Sequence, residues 1–183
     1  HGWHDWYLAA NLAEEDALDG HLLPGLEPQG VPRGLAGSAL PFHYNRIEEL
    51  RGIASRHGSE LAAVVMEPMR DQEPEPGFLE EVSSIAREAG AVLVFDEITA
   101  AFRFDTGGIH LRLGIEPDIA VFAKAMSNGY AMAAVIGRPG VMEAAEATFI
   151  SSTYWSERIG PTAALATIRK HRDEDVGSHL VHL

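Results

Sequence analysis

The chain contains no cysteine, and Lys124 and Lys170 are the only lysines among its 14 basic residues. Without thiols it can form no disulfide, no thiolate metal site and no cysteine nucleophile. The 27 acidic residues give a net charge of −13, which argues against a general surface for nucleic acids or anionic membranes. No apolar run approaches the roughly 20 residues that a membrane-spanning helix needs. These absences predict a cytoplasmic protein.

The overall composition is that of an ordinary globular domain. The chain has 183 residues, of which 46% are hydrophobic and 22% are charged, so one domain with a substantial core is expected. It starts at His1 without an initiator methionine or a signal-peptide pattern, and it stops at Leu183 without a stop signal. We therefore expect an internal piece of a longer protein.

Short apolar runs alternate with helical patterns along the chain. Residues 61–66, 91–95, 119–123 and 131–136 predict strands, and the first three runs are typical of strands buried on both faces. Helical patterns begin at Pro76 and Pro161, and Gly90 is expected to end the first of them. The last two strands are joined by too few residues for a helical crossover, so they should be antiparallel. The prediction is an α/β fold with a mainly parallel sheet, one antiparallel strand and helices on both faces.

Polar residues follow three of these runs, at Glu67, at Asp96-Glu97 and at Lys124. Ligands of open α/β sheets bind at the carboxyl ends of the strands, so one site could join Asp96 to Lys124. Taken alone, the Lys124 segment favours a lysine that reaches water. Apolar surroundings would instead favour a neutral amine, which can attack an aldehyde. Alternation along a strand predicts that Asp96 and Ile98 face the same way, which suits a planar ligand with a basic ring nitrogen.

Two segments resemble a known enzyme family. Residues 94–103, Val-Phe-Asp-Glu-Ile-Thr-Ala-Ala-Phe-Arg, are similar to the strand-end motif of class III pyridoxal-phosphate aminotransferases. Residues 118–124, followed by Gly129, are similar to the segment that carries the cofactor lysine of that family. Residues 61–68 and 76–79 resemble the preceding segment, and His1-Gly2 resembles the tail of its aromatic-His-Gly motif. Within the family, the glutamate-1-semialdehyde 2,1-aminomutase-like branch fits best.

The resemblance implies a fold-type-I large domain that binds pyridoxal 5'-phosphate. Lys124 would form a Schiff base with the cofactor and move the substrate proton, while Asp96 would bind the ring nitrogen. Ile98 would pack on the ring, and Gln72 is a candidate for the contact to the ring hydroxyl. Thr153 resembles the threonine that reaches the phosphate of the neighbouring subunit's cofactor, which implies a homodimer. The upstream phosphate-binding turn and the C-terminal small domain would lie outside this chain.

The implied reaction is the transfer of an amino group between small amino and oxo substrates. A transaminase would pass the amino group to a second oxo acid, whereas an aminomutase would return it to a neighbouring carbon of the same molecule. The chain leaves this choice open. An alternative is a catalytically silent fold-type-I protein that binds the cofactor for a regulatory task, although the presence of both Lys124 and Asp96 argues against it.

Other interpretations have less support. An acidic strand end also occurs in P-loop ATPases, but the chain contains no Gly-x-x-x-x-Gly-Lys-Ser/Thr loop. His1, His4 and Asp5 match no strong zinc pattern, so no metal site is expected. Glu67 fits equally well as a site residue and as a carboxylate that caps the turn after its strand.

Overall fold

The computed structural model describes residues 33–183, so the predictions for His1-Gly2, His4 and Asp5 lie outside the described residues. The chain divides into two compact units, residues 1–49 and residues 50–183. In the first unit, the described residues include a 3-10 turn at Arg33–Leu35. The candidate site residues all belong to the second unit.

One four-stranded sheet organises the second unit. Its strands are β1 (Ala63–Met66), β2 (Val92–Asp96), β3 (Ile119–Phe122) and β4 (Ala134–Gly137), and they lie in that order across the sheet. β1, β2 and β3 are parallel, and β4 is antiparallel to β3. The predicted α/β fold, with its mainly parallel sheet and one antiparallel strand, is confirmed. The parallel register brings the carboxyl ends of β1, β2 and β3 to the same edge.

The described helices are α1 (Ile47–His57), α2 (Phe78–Ala89), α3 (His110–Leu113), α4 (Pro139–Glu146), α5 (Ile159–Asp173) and α6 (Val176–Val181). α2 ends at Gly90 as predicted, because the φ angle of 72° there is left-handed and suits glycine. Among residues 33–183, no helix combines the length and the apolar character needed to cross a membrane.

The buried side chains of the sheet share one face. This face carries Val64, Met66, Leu93, Phe95, Ala120 and Phe122, each at most 9% exposed. α2 packs against β2 and buries Phe78, Leu79, Val82 and Ala86. On the opposite face Val65 and Val135 are each 53% exposed. The two-sided burial predicted for the first three strands is therefore wrong for β1, where Val65 is exposed, whereas Val94 of β2 and Val121 of β3 are half-buried on this face. An apolar pattern does not show whether a neighbour covers each face.

A buried histidine joins α5 to the loop between β2 and α3. His171 is 5% exposed, and its Nε2 donates a hydrogen bond to the carbonyl oxygen of Phe102 at 3.1 Å. Its Nδ1 lies 2.8 Å from Oγ1 of Thr106. Phe102, Phe122 and Ala164 belong to one hydrophobic cluster beneath this loop. These contacts hold the loop after β2 against the body of the unit.

Candidate active site

Lys124 stands just beyond β3, at the carboxyl edge of the sheet. Its φ angle of 49° is left-handed, which is uncommon for a residue other than glycine. It begins the 3-10 turn Lys124–Met126, in which the N–H of Met126 donates to the carbonyl oxygen of Ala123 at 3.1 Å. The side chain of Lys124 is exposed, which agrees with the interpretation of its segment as one whose lysine reaches water and not with a desolvated amine. The reason is that the chain leaves the sheet after Phe122, and Lys124 lies in the turn that follows.

The amine of Lys124 is held at the rim of a cleft. Its Nζ donates a hydrogen bond to Oγ1 of Thr99 at 2.9 Å. The cleft has a volume of about 450 Å³, and its lining includes Arg103, Asn128 and Tyr130 as well as Lys124. A small carbonyl compound entering this cleft could therefore reach the amine.

Asp96 is the last residue of β2 and lies at the same edge, paired in register with Val121 of β3. It is half-buried, and its Oδ1 accepts a hydrogen bond from the N–H of Ile98 at 3.0 Å. This local bond turns the chain out of the strand. Because the strand ends at Asp96, the alternation that predicted a shared face for Asp96 and Ile98 does not extend to Ile98, which is half-buried in the loop.

Glu67 links Asp96 and Lys124 electrostatically. Burial is the largest influence on the pKa of Glu67 and raises it. The positive charges of Arg70 and Lys124 lower this pKa, and the negative charge of Asp96 raises it. Each of the three residues stands at or just after the carboxyl end of a strand of the same sheet, and the pKa of Glu67 responds to the charges of the other two. Oε2 of Glu67 is buried and, among the described residues, is the one buried side-chain oxygen or nitrogen without a hydrogen-bond partner. Its Oε1 lies 3.4 Å from Arg70 Nη1, in the loop that follows β1. The unpartnered Oε2 suits a site residue and the contact to Arg70 suits a capping residue, so both interpretations remain predictions.

Glu97 has a structural position although it adjoins Asp96 in sequence. It has no solvent exposure, and its carboxylate accepts hydrogen bonds from the N–H groups of Ile109 and His110, each at 3.0 Å. Nδ1 of His110 lies 2.7 Å from the same carboxylate. A Cβ at Gly108 would lie only 2.6 Å from Glu97 Oε1, so glycine is needed for this close approach.

Thr153 and Gln72 make no hydrogen bond to Lys124 within residues 33–183. Thr153 is exposed in a turn where the N–H of Trp155 donates to the carbonyl oxygen of Ser152 at 3.2 Å. Gln72 is exposed in the loop after β1, and no hydrogen bond of residues 33–183 joins it to Lys124. The roles of both residues remain predictions.

The side chains at this edge fit a planar cofactor that carries an aldehyde and a basic ring nitrogen. Lys124 offers an accessible amine for the aldehyde, and Asp96 offers a carboxylate for the protonated ring nitrogen. The unpartnered Oε2 of Glu67 leaves room for a further donor group. Within residues 33–183, no three histidine, aspartate or glutamate side chains come close enough together to hold a metal ion.

Comparisons with known proteins agree with this chemistry. The family model described as aminotransferase class-III matches residues 38–182. The 3-aminobutyryl-CoA aminotransferase of Cloacimonas acidaminovorans is 34% identical over 175 residues, which cover 92% of this chain and 38% of the relative. The 2'-deamino-2'-hydroxyneamine transaminase of Streptomyces kanamyceticus is 33% identical over 181 residues, which cover 97% of this chain and 41% of the relative. The chain therefore spans about two fifths of the length of these curated relatives.

A solved structure shows the same relationship in three dimensions. The PLP internal aldimine form of the FumI protein of Sphingopyxis sp. MTA144 matches the chain with a TM-score of 0.69 at 29% sequence identity. The match covers 73% of this chain and 34% of the FumI chain. The likeness thus extends beyond short motifs to most of the fold.

Proposed function

The chain belongs to the class-III aminotransferases, and on that premise we propose that it is part of the large domain of a pyridoxal-phosphate-dependent transaminase. The observation that carries the proposal is that Asp96 ends β2 and Lys124 follows β3 at the same carboxyl edge of the sheet, where the charges of both affect the pKa of Glu67. Other parts of the protein would supply the phosphate-binding turn and the small domain. The substrates are small amino and oxo compounds.

Pyridoxal 5'-phosphate is the cofactor, and when bound it supplies an electron sink that stabilises negative charge at a substrate carbon. The amine of Lys124 would hold it covalently, and the carboxylate of Asp96 would hydrogen-bond its protonated ring nitrogen. Ile98 would pack on the ring, and Gln72 would contact the ring hydroxyl. Thr153 would reach the phosphate of a second copy, so the proposal includes a homodimer.

Lys124 would also hold and move the substrate proton. Its backbone is fixed by the turn Lys124–Met126, while its side chain projects to the cleft. An amine in this position can take a proton from one carbon and return it to another, as amino transfer requires. Asp96 would contribute by keeping the ring nitrogen charged throughout.

Transfer to a second oxo acid is favoured over an intramolecular aminomutase reaction. The two relatives reported above are named as an aminotransferase and a transaminase. The aminomutase-like branch therefore remains a prediction from the sequence motifs, as does a cytoplasmic location. The alternative of a silent cofactor-binding protein is disfavoured by the accessible amine beside the cleft.

The test is the visible absorption of lysine-bound pyridoxal phosphate in the full-length protein. The wild type should develop this band, and Lys124→Ala should abolish it. Lys170→Ala is the matched control, because Lys170 is the other lysine of the chain and its amine lies 2.8 Å from Glu174 in α5. A band retained in Lys124→Ala would refute the assignment. A wild-type band without amino transfer to any oxo acid would favour the silent protein.

A further inference from the structure

Thr99 contacts the proposed catalytic lysine and has no role in the function described so far. Its Oγ1 accepts a hydrogen bond from Lys124 Nζ at 2.9 Å. Thr99 follows β2 and Lys124 follows β3, so the bond joins two neighbouring strand ends. The side chain of Thr99 is half-buried, whereas that of Lys124 is exposed. The contact therefore connects a movable amine to a more restrained group.

The backbone around Thr99 is fixed by two hydrogen bonds. Asp96 Oδ1 accepts from the N–H of Ile98 at 3.0 Å, and the carbonyl oxygen of Glu97 accepts from the N–H of Ala101 at 2.9 Å. Ala101 has no solvent exposure, so the far side of the turn is anchored in the core. Threonine is β-branched, and its χ1 angle is restricted. The hydroxyl group consequently has a defined position at the sheet edge.

Lys124, in contrast, is fixed only at its backbone. The turn Lys124–Met126 sets the direction in which the side chain leaves the main chain. The four-carbon stem beyond it rotates freely unless the amine is bound. A hydrogen bond at Nζ removes much of this freedom, because it acts at the far end of the stem.

A hydroxyl acceptor suits both protonation states of the amine. The ammonium form donates one of its three N–H bonds to Oγ1. The neutral amine still has two N–H bonds, so one can remain on Oγ1 while the nitrogen lone pair stays free. The bond would then orient the lone pair, which is the part of Lys124 that attacks a carbonyl or accepts a proton.

We propose that Thr99 is a positioning residue that holds an N–H of Lys124 and thereby fixes the direction of its lone pair at the carboxyl edge of the sheet. This assignment rests on the proposed function. In the loading step the amine condenses with the cofactor aldehyde, which forms a C=N bond and releases one water. When the substrate amine takes over that carbon, the C=N bond to Lys124 breaks and the amine is released, and the freed nitrogen then accepts the substrate proton and returns it. Both steps depend on the direction of the lone pair.

A positioning role and a merely structural role for Thr99 differ in their effect on stability. A structural role would lower the melting temperature when the hydroxyl is removed. The bond ends on an exposed amine, and such contacts contribute little to folding stability. Removing the hydroxyl should therefore slow both steps without changing the melting temperature. Restoring a hydroxyl with serine should recover the rates.

The experiment compares Thr99→Val, Thr99→Ser and wild type in the full-length protein. Cofactor-free protein is mixed with pyridoxal phosphate, and the growth of the lysine-bound visible band is followed by stopped flow, together with Tm. Thr99→Val should slow band formation about tenfold, as expected for the loss of a hydrogen bond to a charged group. Thr99→Ser should stay within about twofold of wild type, since the acceptor is kept. Thr162→Val is the matched control, because Thr162 is exposed on α5.

A wild-type rate in Thr99→Val overturns the assignment, and so does a Thr99→Ser variant that is as slow as Thr99→Val. If Thr99→Val lowers Tm as well as the rate, the Thr99→Ser variant decides between the two roles. A Thr99→Ser variant that still has the lowered Tm but recovers the wild-type rate shows that the rate depends on the hydroxyl and not on stability. A wild-type protein that never develops the band overturns the proposed function and the role of Thr99 with it. A wild-type band with unaffected variants overturns the role of Thr99 alone.

Discussion

The carboxylate of Glu97 lies 2.7 Å from Nδ1 of His110 and is completely buried. It also accepts two backbone hydrogen bonds from the start of α3, so it is the main polar anchor of that segment. Asp96, its neighbour, stands at the open edge of the sheet. The Asp-Glu pair thus divides into one residue at the proposed cofactor site and one that anchors the fold.

Glu97→Ala should destabilise the protein by about 3 kcal/mol, because it leaves buried N–H groups without their acceptor. The measurement is chemical denaturation of the full-length protein. Glu143→Ala is the matched control, since Glu143 is exposed on α4, and its effect should stay within about 0.5 kcal/mol. An equally small effect for Glu97→Ala would contradict the anchoring role.

Glu67→Gln should change how stability depends on pH. Burial raises the pKa of Glu67 above its ordinary value of 4.5, so in this range the folded state binds a proton more tightly than the unfolded state. The contribution of Glu67 to the free energy of unfolding is then fully present below pH 4.5, and it is lost as the pH rises through the raised pKa of Glu67. Wild type should therefore lose stability relative to Glu67→Gln as the pH rises above 4.5 and through the raised pKa of Glu67. Parallel Tm profiles of the two proteins would contradict this, and Glu143→Gln should give a profile parallel to wild type.

Asp96→Asn should lower turnover about a hundredfold or more, because the ring nitrogen loses its charged partner while the side chain keeps its shape. Asparagine can still accept the hydrogen bond from the N–H of Ile98, so the local turn should persist. The measurement is exchange of the substrate α-proton with solvent deuterium. Near-normal exchange in Asp96→Asn would show that the charge of Asp96 is not needed.

Thr153→Ala and Lys124→Ala should complement each other in mixed dimers. If Thr153 acts across the subunit interface, a Thr153→Ala subunit receives an intact threonine from its Lys124→Ala partner and keeps its own lysine. Cofactor affinity at that site should be about tenfold higher than in the Thr153→Ala homodimer, the effect of one charge-assisted hydrogen bond. Band formation titrated with pyridoxal phosphate measures this. Mixed dimers no better than the Thr153→Ala homodimer would contradict the cross-subunit role.

The sequence was sufficient to predict the sheet, because three apolar runs each end in a polar residue and a short link forces the last pair to be antiparallel. Glu67, Asp96 and Lys124 could be placed at one edge for the same reason: parallel strands share a carboxyl edge. Helix α2 could also be predicted, since Gly90 supplies the left-handed residue that ends it. These features depend on local pattern and chain connectivity.

The details of the site depend on contacts that no local pattern encodes. The burial of Glu97 arises from backbone groups 12 and 13 residues later in the chain. Thr99 was missed because a threonine in a loop carries no sign of its partner, although its place three residues after Asp96 was a usable signal. The exposed face of β1 was also missed, since alanine and valine occur on covered and uncovered faces alike.

Lys124 holds a left-handed backbone conformation, which costs an L-residue with a side chain roughly 1 kcal/mol and glycine almost nothing. A glycine here would relieve that strain but would remove the amine and its hydrogen bond to Thr99. In the proposed function, the backbone strain therefore falls on the same residue that carries the reactive group.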